Sequence, residues 1–175
     1  MDPITLDVTE QEIAESLAKR RYNAARKAGV ENAKIGPQSN WNTDLEGIAS
    51  EFAFCKLFNL FPDLTVGARK GGHDCMMYSY KVDVKATKYK TGRLLARTSK
   101  KNEDADIYAL MIGEFPTYKF VGWAWNRDLL KSDNIINLGH GDGFALSQAD
   151  LNSPSVLSYH TKNFVPNLNY GGATK

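Results

Sequence analysis

Five consecutive residues, Val82-Asp83-Val84-Lys85-Ala86, alternate apolar and charged side chains. That period of two belongs to a strand and to no other regular element. It sets Val82, Val84 and Ala86 on one face and Asp83 and Lys85 on the other. The apolar face suits a core. A carboxylate and an ammonium side by side on the opposite face call for a reason. Asp74, at the end of Gly71-Gly72-His73-Asp74, lies one short hairpin upstream. Two carboxylates and a lysine brought together make a site for a hard divalent cation and for a water to be activated.

The chain has 175 residues, 42% of them hydrophobic and 24% charged, which fits one soluble domain with a real core. No apolar run approaches the roughly 20 residues that cross a bilayer, so no membrane partner is expected. Met1-Asp2-Pro3-Ile4 lacks the basic-then-apolar pattern of an export signal. Cys55 and Cys75 have no framework spacing and read as reduced thiols, which points to a cytoplasmic protein. The net charge is +2, but residues 81–101 hold eight basic side chains and one acidic one. That stretch is +7 and the rest of the chain −5. A basic block on a near-neutral protein suggests a polyanionic partner met at one surface. A solvated, lysine-rich loop is the other reading.

Thr9-Glu10-Gln11-Glu12 reads as a capping box opening a helix over 9–28, stopped by Gly29. Residues 30–42 read as a loop. Thr43-Asp44-Leu45-Glu46 reads as a second capping box, opening a helix to about Leu60 and giving Glu46 its role. Ile48, Phe52, Cys55 and Phe58 form the apolar stripe of that helix. Glu51 lies on or beside the stripe, where a carboxylate is costly unless it is paired, as with Lys56 or Lys81, or bound to a metal. Strands are expected at 64–66, 75–78 and 81–87, with a tight turn at Ser79-Tyr80. Residues 88–105 read as loop with some helix, 106–113 and 118–125 as a hairpin around Pro116, and 126–131 as a short helix. The tail, 132–175, reads as turn-rich and suited to forming a homodimer. Trp123 and Trp125 share a strand face, where core packing outranks base stacking. His73 and Cys75 lack the second ligand pair of a zinc site. The glycines around His140 follow no strand and carry no P-loop lysine, which argues against nucleotide binding. The expected fold is α/β (α+β): one domain, with a central mixed sheet flanked by helices.

In order and kind, Glu51 in a helix, Asp74 in a hairpin and Asp83-Val84-Lys85 in a strand resemble the PD-(D/E)XK nuclease superfamily over residues 43–125. His73 stands where the namesake proline would be. The resemblance implies a restriction-endonuclease-like fold and a Mg²⁺-dependent nuclease, with Mn²⁺ as substitute, that hydrolyses phosphodiester bonds in DNA. Phage, repair or recombination DNA processing at ends, flaps or junctions suits a single small domain. The alternative is a non-cleaving nucleic-acid-binding module of the same fold. By the resemblance, Asp74, Asp83 and the backbone carbonyl of Val84 hold the metal, and Glu51 joins them directly or through water. Lys85 orients the attacking water or helps to deprotonate it. Lys88, Lys90, Arg93, Arg97, Lys100 and Lys101 follow the catalytic strand and are expected to meet phosphates. Tyr89 suits stacking on a base or sugar and equally covering the edge of the core, and Tyr159 and Lys162 in the tail are expected to add contacts. Taken singly, each site residue has a plain reading: a turn aspartate, a cross-strand ion pair, a paired helix glutamate.

Overall fold

A computed structural model of the protein describes residues 1–29, 39–67, 72–139 and 141–157. Of the expected loop over 30–42, residues 30–38 lie outside the described residues and 40–42 are helical; Gly71, His140, Tyr159 and Lys162 also lie outside. Strand β1 (Ile4–Thr5) leads into helix α1 (Val8–Lys27), and helix α2 (Asn40–Phe58) follows. Next come β2 (Cys75–Met77), β3 (Tyr80–Thr87), β4 (Leu94–Arg97), β5 (Ile107–Glu114) and β6 (Thr117–Trp125). A short helix α3 (Asn126–Leu129) precedes β7 (Ile135–Asn137) and β8 (Asp142–Leu146).

The fold is mixed α+β and holds two sheets where one was expected. The main sheet has the order β1-β6-β5-β3-β2, and the second has the order β4-β8-β7. Within the main sheet β3 and β5 run parallel, and its other pairs are antiparallel. A parallel pair needs a crossover between its strands. Here the crossover contains β4, which leaves the main sheet and pairs with β8.

Each face of the main sheet therefore has its own core. On one face Val82, Val84, Ile107, Ala109, Met111, Phe120 and Trp123 pack against Leu17, Ile48, Phe52 and Phe54 of α1 and α2. On the other, Tyr108, Leu110 and Ala124 pack against Leu94, Ala96, Leu129 and Phe144. So both long helices cover one face, and the small sheet with α3 covers the other. The sheet is flanked by helices, as expected. The β5–β6 register shifts beside Leu110 and Met111, which places one extra residue, Val121, in β6. Without that bulge, Phe120 and Trp123 would point to opposite faces, since strand side chains alternate. Trp123 is a core residue, as expected, and its indole N–H donates to the Ser153 carbonyl at 3.1 Å.

Several boundaries differ from the sequence reading. The first capping box is Asp7 with Glu10: the Glu10 N–H donates to Asp7 at 2.9 Å and the Asp7 N–H to Glu10 at 2.7 Å. Ser39 caps α2, accepting from the Asn42 N–H at 3.1 Å, so the helix starts three residues before Thr43. Glu46 then has no capping role. Its carboxylate accepts the Tyr118 hydroxyl at 2.6 Å and the Phe115 N–H at 3.2 Å, which ties α2 to the β5–β6 turn. Residues 64–66 form no strand; Leu64 and Val66 are exposed. The basic segment holds β4 and no helix, and the tail contributes β7 and β8. Among the described residues no helix is long and apolar enough to cross a membrane.

Candidate functional site

The site starts from the length of β2. It ends at Cys75, opposite Val82, so the edge of β3 beyond Val82 faces no described strand. Asp74 covers the first part of that edge with its side chain. Its backbone N–H donates to the Val82 carbonyl, and its Oδ2 accepts the Val84 N–H, both at 2.8 Å. In a strand the N–H and C=O of one residue project to the same side. The Val84 carbonyl therefore shares the edge that Asp74 occupies.

Asp83 and Lys85, two apart on β3, share the face turned to the small sheet. Asp83 is 2% exposed, although the alternation alone reads its face as the polar one. The covering small sheet explains the difference. Lys85 Nζ lies 2.5 Å from Asp83 Oδ1. The contact is an ion pair whose direction makes no hydrogen bond, so Oδ1 is a buried oxygen without a donor. Lys100 Nζ lies 2.8 Å from Asp83 Oδ2 and also donates to the Gly72 carbonyl at 3.2 Å. One buried carboxylate thus meets two ammoniums. Burial works against the charge on Lys85, but Asp83, Asp74 and Glu51 outweigh it and hold the ammonium above its ordinary pKa. That direction favours the charged form of Lys85, which suits orienting a water more than taking a proton from it.

Glu51 sits on α2 and is 9% exposed. Its partner is neither Lys56 nor Lys81. Arg21 of α1 reaches it at 3.3 Å and is itself held by the Asp63 carbonyl at 2.5 Å and the Thr65 carbonyl at 3.0 Å. Lys56 instead pairs with Glu10 at 2.6 Å, and Lys81 donates to the Glu103 carbonyl at 3.1 Å. No local pattern in the sequence pairs Arg21 with Glu51. Cys55 and Cys75 are free and buried, as expected. The hydrogen bond to Cys55, and then burial, push the Cys75 thiol far above the range of a nucleophile. Tyr108 pairs in register with Asp83 across β3 and β5. Its hydroxyl is buried without a hydrogen-bond partner, and burial, followed by the charge of Asp83, raises its pKa.

Of the six basic residues expected to meet nucleic acid, Lys88, Lys90, Arg93, Arg97 and Lys101 are exposed, and Lys100 is turned into the site. Tyr89 is exposed, with Lys88 over its ring at 5.8 Å. Lys88 and Lys90 follow β3 directly, and Arg97 ends β4 in the second sheet.

The donor set is an oxygen set. Among the described residues no group of three or more histidine, cysteine, aspartate and glutamate side chains is arranged to hold a metal ion, so Glu51, Asp74 and Asp83 do not form such a group. Mg²⁺ takes oxygen ligands and keeps several of its waters, so it needs only one or two carboxylates. Asp74 and Asp83 supply carboxylate oxygens of that kind. Comparison of the chain with family models, with curated proteins and with solved structures finds no match.

Proposed function

We propose that the protein is a Mg²⁺-dependent nuclease of restriction-endonuclease-like fold, acting on DNA. The observation that carries this reading is the Asp83–Lys85 pair on β3, its carboxylate buried and its ammonium partly exposed, with Asp74 bound to the adjacent strand edge. A buried carboxylate in an ion pair adds little to stability, so its presence asks for another use. Asp74, Asp83 and the Val84 carbonyl would hold the ion, with Mn²⁺ as substitute. A divalent ion there supplies charge against the phosphodiester and makes water a stronger acid. Lys85, as a cation, stabilises the charge that builds on the transferring phosphoryl group and orients the attacking water. Glu51 acts on the site through its charge, with Arg21 holding it in place. Lys88, Lys90, Arg93, Arg97 and Lys101 position the backbone of the nucleic acid without reading its sequence. DNA processing at ends, flaps or junctions in phage, repair or recombination remains the setting of this proposal, as does action as a homodimer.

The second reading is a nucleic-acid-binding module that does not cut. Two ammoniums already balance Asp83, and among the described residues no three-ligand group stands ready, which favours it. One experiment separates the two. Labelled linear, nicked, single-stranded, flapped and four-way DNAs are incubated with Mg²⁺ or Mn²⁺. Cleavage blocked by EDTA, and reduced on the order of a hundredfold to a thousandfold by Asp83→Asn, supports the nuclease. Salt-dependent binding without cleavage supports the module. Full cleavage by Asp83→Asn would remove the site assignment.

A further inference from the structure

Lys100 leaves the company of its basic neighbours. Arg97 and Lys101 are exposed, whereas the Lys100 side chain is 17% exposed. Two consecutive turns fix its backbone: the Lys100 N–H donates to the Arg97 carbonyl at 3.0 Å, and the Asp104 N–H to the Lys101 carbonyl at 3.1 Å. The Asp104 carboxylate accepts the Lys101 N–H at 3.0 Å. The ammonium is thereby seated between Asp83 Oδ2 at 2.8 Å and the Gly72 carbonyl at 3.2 Å. A carboxylate oxygen and a peptide carbonyl are the donors that a hard cation chooses.

Resting on the nuclease reading above, we propose that Lys100 is a built-in substitute cation. It holds Asp83 Oδ2 and the Gly72 carbonyl, donors that a divalent ion at Asp83 would also use, until that ion displaces it, and the freed ammonium then meets a phosphate of the nucleic acid. Asp83 is 2% exposed, and a carboxylate buried to that degree is costly without a countercharge. With Lys100 gone, Asp83 keeps only Lys85 as countercharge, and a divalent ion arriving at Oδ2 restores the balance. Lys85, on the same strand as Asp83, stays as the fixed partner. Two consequences follow. Lys100 lowers the affinity of the free protein for the metal. Nucleic acid, by accepting the released ammonium, raises it, and by linkage the metal raises the affinity for nucleic acid equally.

The test is a titration of the full chain with Mn²⁺, without nucleic acid, following the spin-resonance signal of free Mn²⁺. Lys100→Met keeps the length and removes the charge; Lys100→Gln is the second variant, should the first not fold. Thermal melting followed by circular dichroism establishes that each is folded. The expected result is Mn²⁺ binding about tenfold tighter in the variants than in the parent. A purely structural ion pair would lower the melting temperature and leave Mn²⁺ affinity unchanged. Equal or weaker binding by folded variants, with the parent binding Mn²⁺, overturns the substitute-cation role and leaves the nuclease reading standing. Absence of Mn²⁺ binding in parent and variants alike overturns both.

Discussion

Each face of the main sheet carries a carboxylate, and the two are treated oppositely. On the helix side Glu46 meets neutral donors, the Tyr118 hydroxyl and the Phe115 N–H, beside a largely apolar layer whose buried ion pair, Glu51 with Arg21, joins α2 to α1. On the other side Asp83 is enclosed by the small sheet and meets two ammoniums. The first arrangement joins elements: it fastens α2 to the β5–β6 turn. The second spans β3 and the loop after β4 with charges that an apolar trio would replace at no loss of packing. The helix side is built for cohesion. The other side gives up some cohesion to keep charge in place.

The largest expected effect tests the cohesive side. Phe120 is fully buried and packs edge-on to Phe54 and Phe58, at 5.4 and 5.6 Å between ring centroids. Phe120→Ala should lower stability by about 3–5 kcal/mol in urea unfolding. A loss under about 1 kcal/mol would mean that this face is not the main core. The next test concerns the charged side. Asp83→Leu alone strands Lys85 and Lys100 and should lower stability by about 2–4 kcal/mol. Adding Lys85→Met and Lys100→Met should bring it back to within about 1 kcal/mol of the parent, with cleavage abolished. If the triple variant is as unstable as the single one, the ion set is structural and the contrast between the faces fails.

The smallest effect is a pH dependence on the helix side. Burial, and then the hydrogen bond to Glu46, hold the Tyr118 hydroxyl protonated well above the ordinary tyrosine range. An unfolded tyrosine ionises near pH 10. Above that pH the folded chain binds the extra proton, so this stability is complete below pH 10 and declines as pH rises, by at most about 1.4 kcal/mol per pH unit. Tyr118→Phe should flatten the decline between pH 9 and 11 in urea midpoints. An identical decline in both proteins would place the titrating group elsewhere.

The strand β3, its hairpin with β2, the β5–β6 hairpin and the two long helices were legible because each is written in local periodicity. The helix starts were misread for a local reason as well. Asp7 and Ser39 are as good caps as Thr9 and Thr43, and only the fold decides among them. β4, β7 and β8 were not legible, being three to five residues long. Leu94 and Ala96 look like isolated apolar residues in a basic loop until the small sheet seats them against Tyr108 and Leu110. The residues of the site were legible as types, but their partners were not. Arg21 reaches Glu51 from another helix, and Lys100 reaches Asp83 from beyond β4. No short-range pattern records such pairs. The burial of Asp83 was missed with them, because the sheet that encloses it was missed.

The brevity of β2 has one more consequence. A strand edge with free N–H and C=O groups is a template on which a neighbouring molecule can add its own strand. Beyond Val82 the edge of β3 would be such a template, but a carboxylate already holds the Val84 N–H and a charged lysine follows it. The residues proposed to receive an ion thus also keep one copy of this protein from zipping onto the next. Replacing Asp74 by a small apolar residue should make the protein prone to aggregation, whether or not it ever cuts DNA.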